Sequence, residues 1–401
     1  MGAAGIDHTP MGSKSEALAA ATEHQGRAWF ALSAALAADP SHAYLFRGPR
    51  GSGKRAAARA FAAEVIASAS ADPEDARRRA LLDPSPHPDL VWLAPTGAQH
   101  MVEEVRERVI RAAAYRPFEG GKRVFVVEAA EAMRDESQNA LLKTLEEPPE
   151  FVHLILLSSE GEGLLETVAS RCQVVDFAPL PTEVLEATLA DGTISPSVDG
   201  SSARDADEFD NSARRPDEIA AAARLAAGDL ERAKLLLGER GRQLRAEAER
   251  CVGAALEGET AKAPWKALLD DAKGAGEEAE AAAREALDED SKAGIKRSAM
   301  DIADGAKRAG RRRRTEILEL GFELCAAWLR DLAAVAAGAE EVVFNRDRLE
   351  RLRGQADGLD PARARRGAEL VQETRRGLEL NVSEELALEA LFFRLESLLA
   401  A

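Results

Sequence analysis

Cysteine is scarce in this chain of 401 residues, which contains only Cys172, Cys251 and Cys325. The three lie far apart and form no CxxC pair, so the sequence predicts neither a disulfide framework nor a zinc ribbon. Aromatic residues are also few, at 4% of the chain, whereas hydrophobic residues make up 45%. Because alanine and leucine dominate the hydrophobic set, we expect a protein rich in closely packed helices.

The chain also lacks any excess of positive charge, since its formal net charge is −17. A protein that grips nucleic acid alone usually needs a basic face, so this balance argues against that class. No apolar run approaches the length of a membrane span, and the N-terminus has no signal-peptide core. We therefore expect a cytoplasmic protein, long enough for two or three domains.

Short apolar runs punctuate the first part of the chain, as far as residue 178. They read HAYLF (42–46), DLVWLA (89–94), RVFVVE (123–128), HLILLSS (153–159) and QVVDFA (173–178). Each run is nearly continuous in hydrophobic residues, as strands buried on both faces tend to be. Helical patterns separate the runs, so the sequence predicts an α/β domain with a parallel, doubly wound sheet.

Strand patterns end near Pro181, and helical patterns resume at Pro216 and continue almost to the end. The stretch between is rich in Ser, Asp and Gly, which is typical of a flexible insertion. The predicted organisation is a disordered N-terminus (1–15), an α/β domain (16–181), a helical lid (182–238) with a flexible insertion (191–215), and a helical C-terminal domain (239–401).

The segment GPRGSGKR, which follows the first predicted strand, matches a phosphate-binding loop in all but its last residue. In such loops backbone N–H groups cradle phosphates, the lysine reaches the terminal phosphate, and a Ser or Thr hydroxyl binds Mg²⁺. The candidate nucleotide-binding residues are Gly48, Gly51, Gly53, Lys54 and Arg55. Arg55 replaces the metal-binding hydroxyl, so ATP binding is possible but doubtful. An ordinary glycine-rich turn is the alternative interpretation.

A second defect follows the third predicted strand, in the segment VFVVEAAEAM. Glu128 stands where an ATPase needs a carboxylate for Mg²⁺, but Ala129 occupies the place of the carboxylate that activates water. Glu131, three residues on, is expected to point elsewhere. Loss of one preorganised catalytic group costs roughly 10²–10³ in rate, so two defects predict little turnover.

Taken in order, several segments resemble the clamp-loader subunits of the AAA+ family. They are HAYLFRGPRGSGKR, HPDLVWLAP, YRPFEGGKRVFVVEAAEAM, SQNALLKTLEEPPE, SRCQVVDFAPL and, near the C-terminus, NVSEELALEALFFRL. The resemblance covers most of residues 40–182. It implies an AAA+ (P-loop) domain with a parallel five-stranded sheet, a small helical lid, and an all-helical collar through which subunits form a ring.

The resemblance also implies a role for Arg171, in the segment SRC. In this family that arginine reaches across a subunit boundary to the ATP held by a neighbour. An arginine finger supplied in trans can raise the rate by roughly 10³–10⁵. The alternative is a surface arginine that ends a short helix and binds its last carbonyl groups.

Two departures from the family pattern matter. The four-cysteine zinc module that many members carry is missing from residues 70–89, so no metal site and no zinc are expected. In the lid segment GDLERA, Glu231 stands where motor subunits have an arginine that contacts their own nucleotide, and Arg232 comes one residue later.

Together with Arg55 and Ala129, the resemblance implies a non-motor clamp-loader subunit of the DNA polymerase III holoenzyme, with no required cofactor. It also implies the partners, which are the motor gamma/tau and the delta subunits in a ring of five, with the sliding clamp and primer-template DNA reached through that complex. We expect no polymerase activity and little or no ATPase activity in the chain itself. An active motor ATPase and an AAA+-derived adaptor for another complex are the alternatives.

Overall fold

A computed structural model describes residues 16–83, 85–95, 99–159, 163–191, 215–292, 299–377 and 383–399. The chain divides into two compact units, and the change from one to the other falls between Pro179 and Leu180. The predicted disordered N-terminus (1–15) and nearly all of the predicted insertion (191–215) lie outside the described residues. The finer division into lid (182–238) and collar (239–401) stays a prediction.

The first unit is built on a five-stranded parallel sheet, which confirms the predicted fold class. Its strands are β1 (Ala43–Arg47), β2 (Leu90–Leu93), β3 (Arg123–Val127), β4 (Val152–Ser158) and β5 (Gln173–Asp176). Their order across the sheet is β2-β3-β4-β1-β5. Strands β3 and β4 are buried along their whole length, which explains their continuous apolar sequences.

Helices cover both faces of this sheet. They are α1 (Glu16–Ala21), α2 (Gly26–Ala37), α3 (Lys54–Ala67), α4 (Pro73–Leu81), α5 (Val102–Val105), α6 (Asp135–Glu146) and α7 (Glu166–Ala169). Alternate strand residues enter two separate cores: Phe46 packs with α1 to α4, whereas Leu45 packs with α5 to α7. Helix α5 continues as a π-helix over Arg106–Arg111.

Helix α6 begins at Asp135 as predicted, but the cap predicted for it is wrong. The spacing of Asp135 and Gln138 predicts a capping box, but Arg134 precedes the first helical residue and no side chain caps the helix. Gln138 is instead fully buried, where its amide donates to the carbonyls of Met133 and Gly163. Its side chain therefore joins two loops to the helix, and Asp135 is an ordinary first-turn acid.

All regular secondary structure among the described residues of the second unit is helical. Its helices are α8 (Thr182–Ala190), α9 (Pro216–Leu225), α10 (Leu230–Leu237), α11 (Glu239–Glu257), α12 (Lys266–Lys292), α13 (Ala299–Ala336), α14 (Leu349–Ala356), α15 (Pro361–Gly377) and α16 (Glu384–Leu399). One hydrophobic core extends from Leu185 to Leu399. Helical spacing predicts one apolar face on α13, and all five of its residues are buried: Ile317, Leu320, Leu324, Trp328 and Leu332. No helix among the described residues is long and apolar enough to cross a membrane.

A buried histidine makes the stability of the first unit depend on pH. His153 in β4 is 2% exposed, and its ring stacks on His42 with 5.4 Å between the ring centroids. Its Nδ1 lies 3.0 Å from the carbonyl oxygen of Ser41, so this nitrogen carries the proton and donates. Burial lowers the pKa of His153 from 6.5 to about 4. The folded protein therefore holds this imidazole neutral.

We predict that the free energy of unfolding falls as the pH drops from 6.5 to 4, because only the unfolded chain gains a proton at His153 in this window. The free energy of unfolding should be lower at pH 4 than above pH 6.5 by about 3 kcal/mol at most. His153→Asn keeps a donor for Ser41 and should flatten the dependence. Urea unfolding at pH 8 and at pH 5 measures the free energy of unfolding at each pH. If the difference between the two pH values is the same in the parent and in the variant, His153 is not the source of the pH dependence.

Candidate functional site

The carboxyl edge of the sheet brings the phosphate-loop residues and Glu128 together, whereas Arg171 lies elsewhere, just before β5. Strand β1 lies beside β4, and β4 lies beside β3. The loop that starts at Gly48 follows β1, Glu128 follows β3, and Ser159 follows β4. Because the strands are parallel, these three ends meet at one edge, which is where open α/β sheets bind ligands.

The loop from Gly48 to Gly53 has the backbone form of a phosphate cradle. Gly51 and Gly53 adopt positive φ angles of 68° and 84°, which favour glycine. Gly48 is required for a different reason: a Cβ there would lie 2.2 Å from the carbonyl oxygen of Phe177. Helix α3 begins directly after the loop, so its first N–H groups point toward the cradle.

Two polar side chains hold this loop. Lys54 is 9% exposed, and its Nζ donates to the carbonyl oxygen of Pro49 at 2.9 Å. Gln25 donates to the carbonyl oxygens of Ser52, at 3.0 Å, and Ala178, at 2.7 Å. Gln25 is far from the loop in sequence and belongs to no motif, so nothing in the sequence singles it out. It connects the loop to the chain after β5.

Arg55 and Glu128 form an ion pair at the centre of the site. Their side chains are only 25% and 20% exposed. The same Glu128 oxygen accepts a hydrogen bond from Trp92 Nε1 at 2.9 Å, and Arg55 Nη2 lies 3.2 Å from Asp83 Oδ2. The carboxylate expected to hold Mg²⁺ is therefore bound by a guanidinium of the same chain. This arrangement satisfies Glu128 without a metal.

A second arginine completes the cluster. Arg59 is 3% exposed, pairs with Asp83 Oδ1 at 2.9 Å, and lies with its guanidinium carbon 4.3 Å from the centre of the Trp92 ring. Burial lowers the pKa of Arg59, and the nearby carboxylate of Asp83 partly opposes this shift. Sequence reasoning missed Arg59, Asp83 and Trp92. The helical spacing of Arg55 and Arg59 was the available signal.

The residues after Glu128 are used for structure. Ala129 adopts the left-handed conformation, with φ 47° and ψ 54°, and its methyl group can activate no water. Glu131 accepts a hydrogen bond from the backbone N–H of Ser159 at 3.1 Å. It therefore holds the end of β4. The carboxylate that a hydrolytic site needs is missing at position 129, and Glu131 is engaged elsewhere.

Glu231 and Arg232 in the second unit also have partners there. Asp229 caps helix α10 by accepting from the backbone N–H of Arg232 at 3.1 Å. Glu231 pairs with Lys234 at 2.7 Å, and Arg232 pairs with Glu323. Both predicted lid residues thus contribute to ion pairs inside the helical unit.

Arg171 lies just after α7 in the first unit, with its side chain 36% exposed. Its Nη1 donates to the carbonyl oxygen of Thr167 at 2.8 Å, and Nε and Nη2 donate to Glu146. The arginine therefore does bind a carbonyl at the helix end, as the alternative interpretation expects. It also remains accessible to a partner. Cys172, beside it, is partly buried, and burial raises the pKa of its thiol to about 12.

Comparisons with known proteins agree with this architecture. Residues 25–181 match the family model described as DNA polymerase III, delta subunit. DNA polymerase III subunit delta' of Bacillus subtilis is 32% identical over 39% of this chain and 48% of its own length. The delta' subunit of Pseudomonas aeruginosa is 39% identical over 36% of this chain and 45% of its own length. Subunit gamma/tau of Mycobacterium bovis is 36% identical over 37% of this chain and 26% of its own length. The chain thus matches about half the length of its delta' relatives.

We predict that Arg55→Thr increases the affinity for Mg²⁺-ATP at least about tenfold, because it restores a metal-binding hydroxyl and releases Glu128 from its ion pair. Equilibrium binding of a fluorescent ATP analogue, with Mg²⁺ and with EDTA, measures the effect. The double variant Arg55→Thr/Glu128→Gln is the control and should lose the metal-dependent part. If the affinity for the analogue rises equally in the presence of EDTA, Arg55 does not block a metal site.

Proposed function

We propose that the chain is a non-motor subunit of a clamp loader, because residues 25–181 match the DNA polymerase III family model and two delta' relatives are 32% and 39% identical to it. It would help to load a sliding clamp onto primed DNA during replication, in the cytoplasm. Its partners would be the gamma/tau motor subunits and the delta subunit in a five-membered ring, through which it reaches the clamp and the primer-template DNA. We propose that the chain binds no zinc and requires no nucleotide of its own.

The ion pair between Arg55 and Glu128 carries the non-motor part of this proposal. A motor needs a carboxylate that is free to hold Mg²⁺ beside the phosphates. Here Mg²⁺ would have to displace an arginine that is also close to Asp83. With Ala129 next to Glu128, a bound nucleotide would also find no carboxylate to activate water. The site is therefore suited to hold its shape, with little or no turnover.

The accessible guanidinium of Arg171 supports the second part, a finger supplied to a neighbouring ATPase. A guanidinium stays charged and donates through a planar fork that matches phosphate oxygens. Arg171 is 36% exposed and follows the short helix α7, so a neighbouring subunit can reach it. We propose that it stabilises the charge that develops on the phosphoryl group during hydrolysis in the neighbour.

A motor ATPase is the second candidate, because part of the phosphate cradle is intact. Gly51 and Gly53 have the required conformations, Lys54 lies at the start of α3, and gamma/tau relatives are 36% identical. In this case Lys54 would be essential for turnover. The two functions therefore make opposite predictions for Lys54.

We predict that Arg171→Ala reduces ATP hydrolysis by the reconstituted loader, whereas Lys54→Ala leaves it within about twofold of the parent. The finger should raise the rate of hydrolysis roughly 10³-fold at the one ATP site that it completes. Without it, the total turnover should fall by the part that this site contributes. Steady-state ATPase rates of the complex with gamma/tau and delta measure both. Arg134→Ala, which removes another exposed arginine of the first unit, is the control.

Assembly is checked for each variant by size-exclusion chromatography before the rates are compared. Unchanged turnover in a fully assembled Arg171→Ala complex would refute the finger. Turnover by the chain alone that disappears in Lys54→Ala would instead establish the motor function. Failure of the parent chain to join gamma/tau and delta would refute the clamp-loader assignment itself.

A further inference from the structure

Every nitrogen of the Arg171 guanidinium is engaged within its own chain. Nε and Nη2 both donate to Glu146 Oε1, at 3.0 and 2.6 Å, and Nη1 donates to the carbonyl oxygen of Thr167 at 2.8 Å. The guanidinium is therefore oriented from two sides, by a carboxylate on α6 and by a carbonyl on α7. In this arrangement the donors of the guanidinium are directed at acceptors of its own chain.

The prolines that follow Glu146 place it at the end of α6. It is the last residue of α6, and Pro148 and Pro149 follow closely, so the helix cannot continue. A carboxylate at the C-terminal end of a helix is unfavourable beside the helix dipole, so Glu146 gains from a cation there. Glu147 stands next to it with the same charge, yet the hydrogen bonds of Arg171 go to Glu146.

The strength of this contact suits an exchange between two partners. Glu146 is 50% exposed and Arg171 36% exposed. An ion pair this accessible to water is weak and easily broken, unlike the half-buried cluster around Glu128. Phosphate oxygens of a neighbour's nucleotide offer the same guanidinium edge a stronger, bidentate acceptor. The two anions would therefore compete for one set of donors.

We propose, building on the finger function above, that Glu146 is a positioning residue that restrains Arg171 against its own chain until a neighbouring nucleotide replaces it. If Arg171 is free of Glu146 for only a fraction of the time, its effect on the neighbouring site is reduced to that fraction. Glu146 therefore lowers the activity of the neighbouring site in the resting complex. Exchange of the carboxylate for phosphate makes Arg171 available only where a subunit with bound nucleotide is in place.

The test uses the reconstituted loader and compares Glu146→Gln with Glu147→Gln, which makes the same change of charge one residue away. Glu146→Gln should raise kcat/KM for ATP by about 1.5- to fivefold, as expected for release of an exposed ion pair. Glu147→Gln and Glu146→Asp should stay near the parent, the latter because it keeps a carboxylate. The gain should shrink at high salt, where the parental pair is already screened.

Repeating Glu146→Gln in an Arg171→Ala background separates this effect from a general change of structure. The gain should vanish there, because no finger remains to be released. A gain that persists, or a Glu146→Gln complex that is no faster than the parent, would overturn the restraint while leaving the finger in place. If Arg171→Ala itself has no effect on turnover, the finger fails and the restraint fails with it.

Discussion

The ion pair between Arg55 and Glu128 determines what the carboxyl edge of the sheet can do. It joins the start of α3 to the end of β3, and Trp92 and Asp83 extend it to β2 and to the chain after α4. A cation and an anion that satisfy each other need neither metal nor phosphate. The fold can therefore keep the geometry of a nucleotide site while its charges are balanced internally.

The two arginines that matter most in the first unit are held in different ways. Arg55 belongs to a half-buried cluster with several partners, so moving it would leave Glu128 without its cation and Asp83 paired with Arg59 alone. Arg171 has one carboxylate and one carbonyl group, and both side chains of its ion pair are exposed. Arg55 is therefore expected to keep its partners, whereas Arg171 can exchange Glu146 for another anion. This difference fits the proposed subunit, which is inactive itself but assists a neighbour.

The sequence predicted most of the fold because the central strands β1, β3 and β4 are buried along nearly their whole length and their apolar runs are continuous. All five strands lie within a residue or two of the predicted ranges. The capping box at Asp135 was wrong because Gln138 found a buried role between two loops, which depends on tertiary contacts. In the site, the motif located Lys54, Arg55 and Glu128 at one edge, since parallel strands end together.

The residues that complete the site could not be predicted from spacing. Gln25 and Asp83 reach it from helix ends or loops that carry no motif, and only the fold brings them near the phosphate loop. The contact of Arg171 with Glu146 was also invisible, because 25 positions separate the two residues and acidic residues surround Glu146 in the sequence. Side-chain pairing between distant segments is what the pattern of a sequence leaves open.

The close approach of Gly48 to Phe177 has a consequence for how such sequences are interpreted. Any side chain at position 48 would collide with the backbone that leaves β5, whether or not a nucleotide ever binds. Packing is thus sufficient to require the first glycine of the motif. A search that counts this glycine toward ATP binding would classify the chain as an ATPase because of a constraint that belongs to the sheet. Positions 55 and 129, where Arg and Ala stand in place of the hydroxyl and carboxylate that the motifs of an ATPase call for, carry more information about nucleotide chemistry than this glycine does.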